Sequence, residues 1–421
     1  MKRETLAIRA AAAFAACAAL VACAAPAAGA EPIRAGFSSR LSLGYDSFID
    51  RFTILDDDTA EAVHDIYAGL GNVLALSTGT ARASLSNLLR YGNQTVDESV
   101  DLDTSIEPAR AWRVDLRGGF RYKHFREGSD YAAANDYLQG NALVKVRTRF
   151  SDRLRAGARA RFELVDFEKR TLFDYDYTYR DAGFEIEAGA DYARMLLVSA
   201  SVGSRETPDT TALGFDRIIA ELEAREAAGN LSLHFGVSGD RRDYREDVRS
   251  DSWLVNSRFE AALGRETGRS VSIRAEAEIL VYDRPDAVYF DSRFIRGGIR
   301  TRIPAGSTAT FFLEPRYAQM LCADFAEERY REGSLILGVE AFGGERYWVS
   351  ASYEPGYRDY TSAENYIYSD FFVNRASIMG SVTLPMDYSI NLFLDHEPER
   401  HARREDDFSI TLLSFDITKR F

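Results

Sequence analysis

Nine cationic side chains recur at even spacing along three short stretches: Arg117, Arg121 and Lys123, then Lys145, Arg147 and Arg149, then Arg155, Arg159 and Arg161. The stretches that follow turn acidic at the same spacing, with Glu185 and Glu187, then Glu221 and Glu223. Fixed charge of one sign beside fixed charge of the other sets a field across any water-filled space the two share. Ions and polar solutes in that space would feel it, and anions would favour the basic side. The alternative is that these charges pair with one another, or with a plug, and hold a closed interior rigid. Arg258 with Glu260, Arg274 with Glu276 and Glu314 with Arg316 show that mixed charge is general. Only Asp115 and Glu163 stand out in the sequence as nearby counter-charges for the nine cations.

Other chemistry is thinly supplied. The chain has 5 His: His64, His124, His234, His396 and His401. Ser232 and His234 would share one face of a strand, but period-2 alternation also produces that spacing by chance. A hydrolytic site needs a nucleophile beside a base, and no carboxylate partner for His234 can be placed from sequence. No phosphate loop, zinc-ligand spacing or dinucleotide fingerprint occurs. The expectation is a non-enzyme without metal or cofactor. Three acidic runs, Asp56-Asp57-Asp58, Asp174-Tyr175-Asp176-Tyr177 and Glu405-Asp406-Asp407, either hold divalent cations that bridge lipopolysaccharide or are solvated loops. None has the spacing and glycine of an EF-hand loop. Tyr366 and Tyr368 fit sugar stacking and interface girdling equally.

The elements that carry these charges alternate with period 2. Leu154, Ala156, Ala158, Ala160, Phe162 and Leu164 fall on one face, and Arg155, Arg159, Arg161 and Glu163 on the other. A helix would scatter the arginines around its circumference; a strand sorts them. Val114, Leu116, Phe120 and Tyr122 repeat the pattern, as do Val271, Ile273, Ala275, Ala277, Ile279 and Val281. The apolar face extends over about nine to eleven residues, enough for a tilted strand to cross a membrane. Connections alternate between tight turns, such as Ala228-Gly229-Asn230, and longer charged, Tyr-rich loops, such as 126–136 and 239–252. That asymmetry points to an all-β, single antiparallel up-and-down transmembrane barrel with short periplasmic turns and longer extracellular loops. About 18 strands are expected, in a range of 16–20. The N-terminal third alternates less clearly, with strands at 34–45, 66–76 and 83–91 and a weaker one at 100–106. A soluble sandwich would need shorter strands.

Composition narrows the class. The 421 residues carry a net charge of −13, which supplies no continuous basic face for nucleic acid. Aromatics reach 12%, with 22 Tyr and 26 Phe, as interface girdles require. After the N-terminus no stretch of about 18 uncharged apolar residues occurs, so helical spans are excluded. Residues 1–30 read as a signal peptide: Lys2 and Arg3, an apolar run, then Ala28-Gly29-Ala30. A rival reading is the lipobox-like Leu20-Val21-Ala22-Cys23, with Cys23 lipidated. The barrel then occupies 31–421. Cys17 and Cys23 fall in the leader, so Cys322 is the one cysteine of the body and makes no internal disulfide.

The last strand places Leu413, Phe415, Ile417 and the terminal Phe421 on one face. This resembles the C-terminal insertion signature of Gram-negative outer-membrane proteins, which implies recognition by the barrel assembly machinery. Lys419 departs from it, since that slot is usually apolar or aromatic. Taken whole, the mature chain resembles porin-like outer-membrane barrels. That resemblance implies an outer-membrane location among lipid and lipopolysaccharide, and a channel for small hydrophilic solutes or ions with a charged lumen. A non-enzymatic surface or export barrel with a filled lumen, serving for example polysaccharide, is the alternative, and a lipid-modifying enzyme a third. Oligomeric state stays open.

Overall fold

In the computed structural model the chain forms one antiparallel sheet of twenty strands, closed on itself. The structure describes residues 32–54, 57–126, 128–129, 135–169, 171, 174–208, 210–246, 249–264, 268–286, 288–362 and 368–421; of 52–54 and 57–60 it describes the backbone alone. The leader, with Cys23, lies outside the described residues, as do Asp56 and Tyr366.

The strands are β1 (Arg34–Ile54), β2 (Asp57–Ser77), β3 (Ala81–Gly92), β4 (Thr95–Ala109), β5 (Trp112–Phe125), β6 (Tyr137–Ser151) and β7 (Leu154–Phe167). Next come β8 (Tyr177–Asp191), β9 (Arg194–Glu206), β10 (Phe215–Ala228), β11 (Leu231–Tyr244), β12 (Ser252–Gly264), β13 (Ser270–Tyr282) and β14 (Ser292–Ala305). The last six are β15 (Ala309–Cys322), β16 (Tyr330–Phe342), β17 (Tyr347–Tyr360), β18 (Phe371–Leu384), β19 (Tyr388–His401) and β20 (Phe408–Arg420). Each pairs with its sequence neighbours, and β20 closes on β1 from Phe52↔Phe408 to Arg40↔Arg420.

Twenty strands is the upper end of the range that the alternation allows. The difference arises in the N-terminal third, where 100–106 is part of the full-length strand β4. Its contrast is weak because Glu98 and Thr104 lie on the same face as Val100 and Leu102. Strands span 12 to 21 residues, more than a bilayer needs, so their extracellular ends stand clear of it.

The apolar face is the outer one. On β13, Val271, Ile273, Ile279 and Val281 are all exposed, an arrangement that water penalises and lipid does not. Trp112, Phe150, Tyr192 and Phe421 are exposed at the short-turn end, and Tyr91, Tyr317, Tyr357 and Phe372 toward the other. These are the two aromatic girdles. Every backbone group of a closed sheet finds a partner, which is why a barrel survives where water is absent.

The two ends are built differently. At the short-turn end Gly229 takes φ +62°, the left-handed conformation that a two-residue turn needs. At the long-loop end one device recurs. The backbone N–H of the last strand residue donates to an aspartate just before the next strand: Phe125 to Asp136 (2.8 Å), Phe167 to Asp176 (2.8 Å), Tyr244 to Asp251 (2.7 Å) and Tyr282 to Asp291 (2.8 Å). Tyr360 to Asp370 and His401 to Asp407 (both 2.8 Å) complete the set. Much of the loop acidity therefore closes hairpins. Asp407 and Asp176, from two of the acidic runs, act in this way, and Asp174 accepts from Asn135 at 3.0 Å. Among the described residues no element crosses the interior, and the longest connection is 126–136.

Candidate functional site

Strand register decides which side chains share the lumen. Arg149 lies opposite Arg155 and Lys145 opposite Arg159. Arg117 and Arg121 face Leu143 and Gln139 on β6, and Lys123 faces Tyr137. Glu187 lies opposite Arg155, and Glu221 opposite Ser199, itself opposite Glu185. Glu223 follows on the same face two residues beyond Glu221. All nine cations and all four glutamates therefore share the face opposite to the apolar belt.

The counter-charges differ from the sequence expectation. Asp115 and Glu163 do serve, Asp115 accepting from Arg147 at 2.5 Å and Glu163 from Arg161 at 2.6 Å. More come from flanking strands. On β4, Asp103 holds Arg117 at 3.0 Å and Asp97 holds Arg121 at 2.5 Å. On β8, Glu185 holds Lys145 at 2.7 Å and Glu187 holds Arg155 at 2.8 Å. The Lys145–Glu185 pair reaches across β7 at Gly157, where a Cβ would come within 3.1 Å of both Arg147 and Glu185. So the basic strip does not stand beside one acidic wall; it is bordered by an acidic strand on each side. The spacing of Asp97, Asp101 and Asp103 is the signal that sequence reading missed.

Arg149 and Arg159 have no ion pair among the described residues. Arg159 reaches only Ser201 Oγ, at 3.5 Å, and Arg149 has no side-chain partner. Glu221 accepts from Ser199 Oγ at 3.0 Å. Glu223 is gripped by Arg225 at 2.5 Å and His234 at 2.9 Å. His234 thus has a carboxylate after all, but no hydrogen bond joins it to Ser232 among the described residues. The trio is a hydrogen-bonded knot, and among the described residues no serine or cysteine bonds to it.

A second arginine-rich sector lies on β14–β17. Glu314, only 2% exposed, accepts from Arg316 Nε at 2.8 Å and lies 3.5 Å from Arg300. Arg300 also approaches Glu340 at 3.6 Å and stacks over the Phe312 ring at 4.0 Å. The sequence sets Glu314 beside Arg316, its partner here, but does not mark it as buried.

The C-terminal residues Leu413, Phe415, Ile417 and Phe421 all lie on the outer face, with Lys419 among them. Lys419 sits at the rim, its ammonium 4.6 Å from the Tyr388 ring and bonded to the Met386 carbonyl. An apolar stem with its charge turned to the interface fits this slot. Cys322 is a buried free thiol at the end of β15.

A closed barrel with an apolar, girdled exterior and a charged interior belongs in one kind of membrane. The chain has the fold of an outer-membrane β-barrel. Solved structures share the fold. The alcaligin outer-membrane receptor FauA of Bordetella pertussis aligns over 92% of this chain and 76% of its own, with TM-score 0.57 and 10% identity. The ferric-catecholate import receptor Fiu of E. coli K12 aligns over 92% and 82%, with TM-score 0.53 and 8% identity. The siderophore receptor PirA of Pseudomonas aeruginosa aligns over 91% and 80%, with TM-score 0.52 and 9% identity. At such identities the likeness is one of fold. No protein-family model matches the barrel, and no curated protein matches its sequence.

Proposed function

We propose that the barrel is a non-enzymatic channel for small hydrophilic solutes, with a lumen whose charge is arranged in strips. The carrying observation is the combination of a wide wall and, among the described residues, little to fill it. Twenty strands spaced about 4.8 Å and tilted about 40° close on a backbone radius of roughly 20 Å. The longest connection, 126–136, is too short to occupy that space. Arg117, Arg155 and Arg161 keep much of their surface open to the lumen despite their ion pairs. Such a wall hydrates a polar solute and offers it no apolar trap. The fold likeness to an import receptor supports this reading, since that barrel serves uptake.

Liposome swelling tests this reading. Vesicles carrying the refolded mature chain are expected to swell in isotonic monosaccharide, at rates that fall as the sugar grows. Folded barrel that leaves vesicles osmotically silent to the smallest sugar would contradict an open lumen.

A further inference from the structure

The lumen wall between β10 and β14 carries a cavity of about 490 Å³. Small-molecule sites occupy about 300–1,000 Å³, so it is large enough to hold a solute. Register builds it from two rows of inward side chains. Glu221, Ser238, Asn256 and Glu278 lie directly opposite one another on β10, β11, β12 and β13. Two residues nearer the short turns, Glu223, Gly236, Arg258 and Glu276 do the same. The floor is low on β11, where Gly236 has no side chain and Ser238 a short one. A Cβ at Gly236 would lie 2.9 Å from Arg258 Nε, so the arginine runs across this glycine toward Glu223.

The two rows have opposite surpluses of charge. In the upper row Glu278 has no hydrogen bond or ion pair among the described residues. Glu221 has only the Ser199 hydroxyl, at 3.0 Å. Ser238 and Asn256 between them are neutral. In the lower row Arg296 Nε donates to Glu276 at 3.1 Å. Glu223 is held by Arg225 at 2.5 Å and His234 at 2.9 Å. Arg258 is then a third cation against two acids, 3.7 Å from Glu223, with its side chain 59% exposed. One cavity thus holds two unmatched carboxylates above an unmatched guanidinium. The rows are about 7 Å apart along the strands, an interval that the side chains shorten. A simple anion meets the glutamates there, and a simple cation meets Arg258, so each is opposed by half of the site. A solute carrying both an ammonium and a carboxylate matches both halves. Arg258 offers its carboxylate a two-pronged fork, and Glu221 and Glu278 accept from its ammonium. Ser238 and Asn256 add neutral hydrogen bonds. Phe294, opposite Glu278 on β14, gives an apolar edge for the rest of the solute.

We infer that this wall is a binding site for small zwitterions of the amino-acid type, ammonium at Glu221 and Glu278, carboxylate at Arg258. The inference rests on the open lumen proposed above and adds a solute class to it. The test is entry of L-serine, ethanolamine, L-lactate and a monosaccharide into vesicles carrying the refolded mature chain. L-serine entry is expected to saturate with concentration, while monosaccharide entry rises in proportion. The half-saturating L-serine concentration should rise at least tenfold in Glu221→Gln/Glu278→Gln, and likewise in Arg258→Gln. Ethanolamine has the amine alone and lactate the carboxylate alone, and neither should saturate in the L-serine range. Heat-modifiable migration on gels will report that each variant folds. L-serine entry that stays proportional to concentration, while the monosaccharide enters, would overturn the site and leave the channel standing. So would saturation that both variants leave unaltered, or ethanolamine or lactate saturating as L-serine does. Vesicles closed to the monosaccharide would remove the open lumen and this site with it.

Discussion

The sectors β5–β7 and β14–β17 both line the lumen with arginine, and they use it in opposite ways. On β5–β7 the cations project into the lumen, and the Arg117 side chain is 64% exposed although Asp103 holds it. On β14–β17 they lie flat over a buried acid: the Arg300 side chain is 15% exposed and that of Glu314 3%. The β14–β17 sector is close to charge balance on its own strands, whereas β5–β7 is strongly cationic and draws its further counter-charges from β4 and β8. The difference is where the counter-charge sits. Acids on flanking strands, at the same height as the cations, leave them hydrated and able to act on a passing ion. An acid beneath them draws the cations down into the wall. Counting arginines along a sequence does not separate these cases; knowing which strand carries each acid does.

The largest expected effect breaks the buried sector. Glu314→Ala strands Arg300 and Arg316 beside one another without their shared acid. Losing one partner of a buried pair costs about 3–5 kcal/mol, so urea unfolding in lipid should show a loss of that order. Arg155→Ala on the open sector removes a solvated pair and should cost under about 1 kcal/mol. Equal losses in the two would erase the distinction between the sectors.

A smaller effect is expected at the loop latches. Asp251→Ala deprives the Tyr244 N–H of its charged acceptor, a bond worth about 1.5–3 kcal/mol. Hydrogen exchange at Tyr244 should quicken while the sheet core keeps its protection. The smallest effect is one of pH. In the β13–β14 loop, the backbone N–H groups of Tyr289 and Val288 hold the Asp286 carboxyl below its usual range. The folded pKa lies below the unfolded one, so the turn is favoured above the unfolded value, about 3.9. That preference is lost as pH falls through the depressed value. Amide protection at Val288 and Tyr289 should persist at neutral pH and fade in acid, and Asp286→Asn should remove the pH dependence.

Much of this was legible in the sequence because alternation is a backbone property. Once Leu154, Ala156, Ala158, Ala160 and Phe162 are sorted from Arg155, Arg159 and Arg161, the strand, its faces and its membrane follow. The common face of the nine cations was legible for the same reason. Their partners were not. Asp97 and Asp103 lie on β4, where Glu98 and Thr104 interrupt the apolar face and blur the pattern. The pairing of Glu223 with His234 and the burial of Glu314 depend on neighbours across the sheet, which one strand's sequence does not carry.

The most direct test of the charged lumen is the zero-current potential of a planar bilayer under a salt gradient. It would compare wild type with Arg155→Glu/Arg159→Glu/Arg161→Glu. Open channels are expected from both, with permeability shifted toward cations in the variant, because the strip faces the conducting path. Folded channels whose reversal potentials coincide would contradict it.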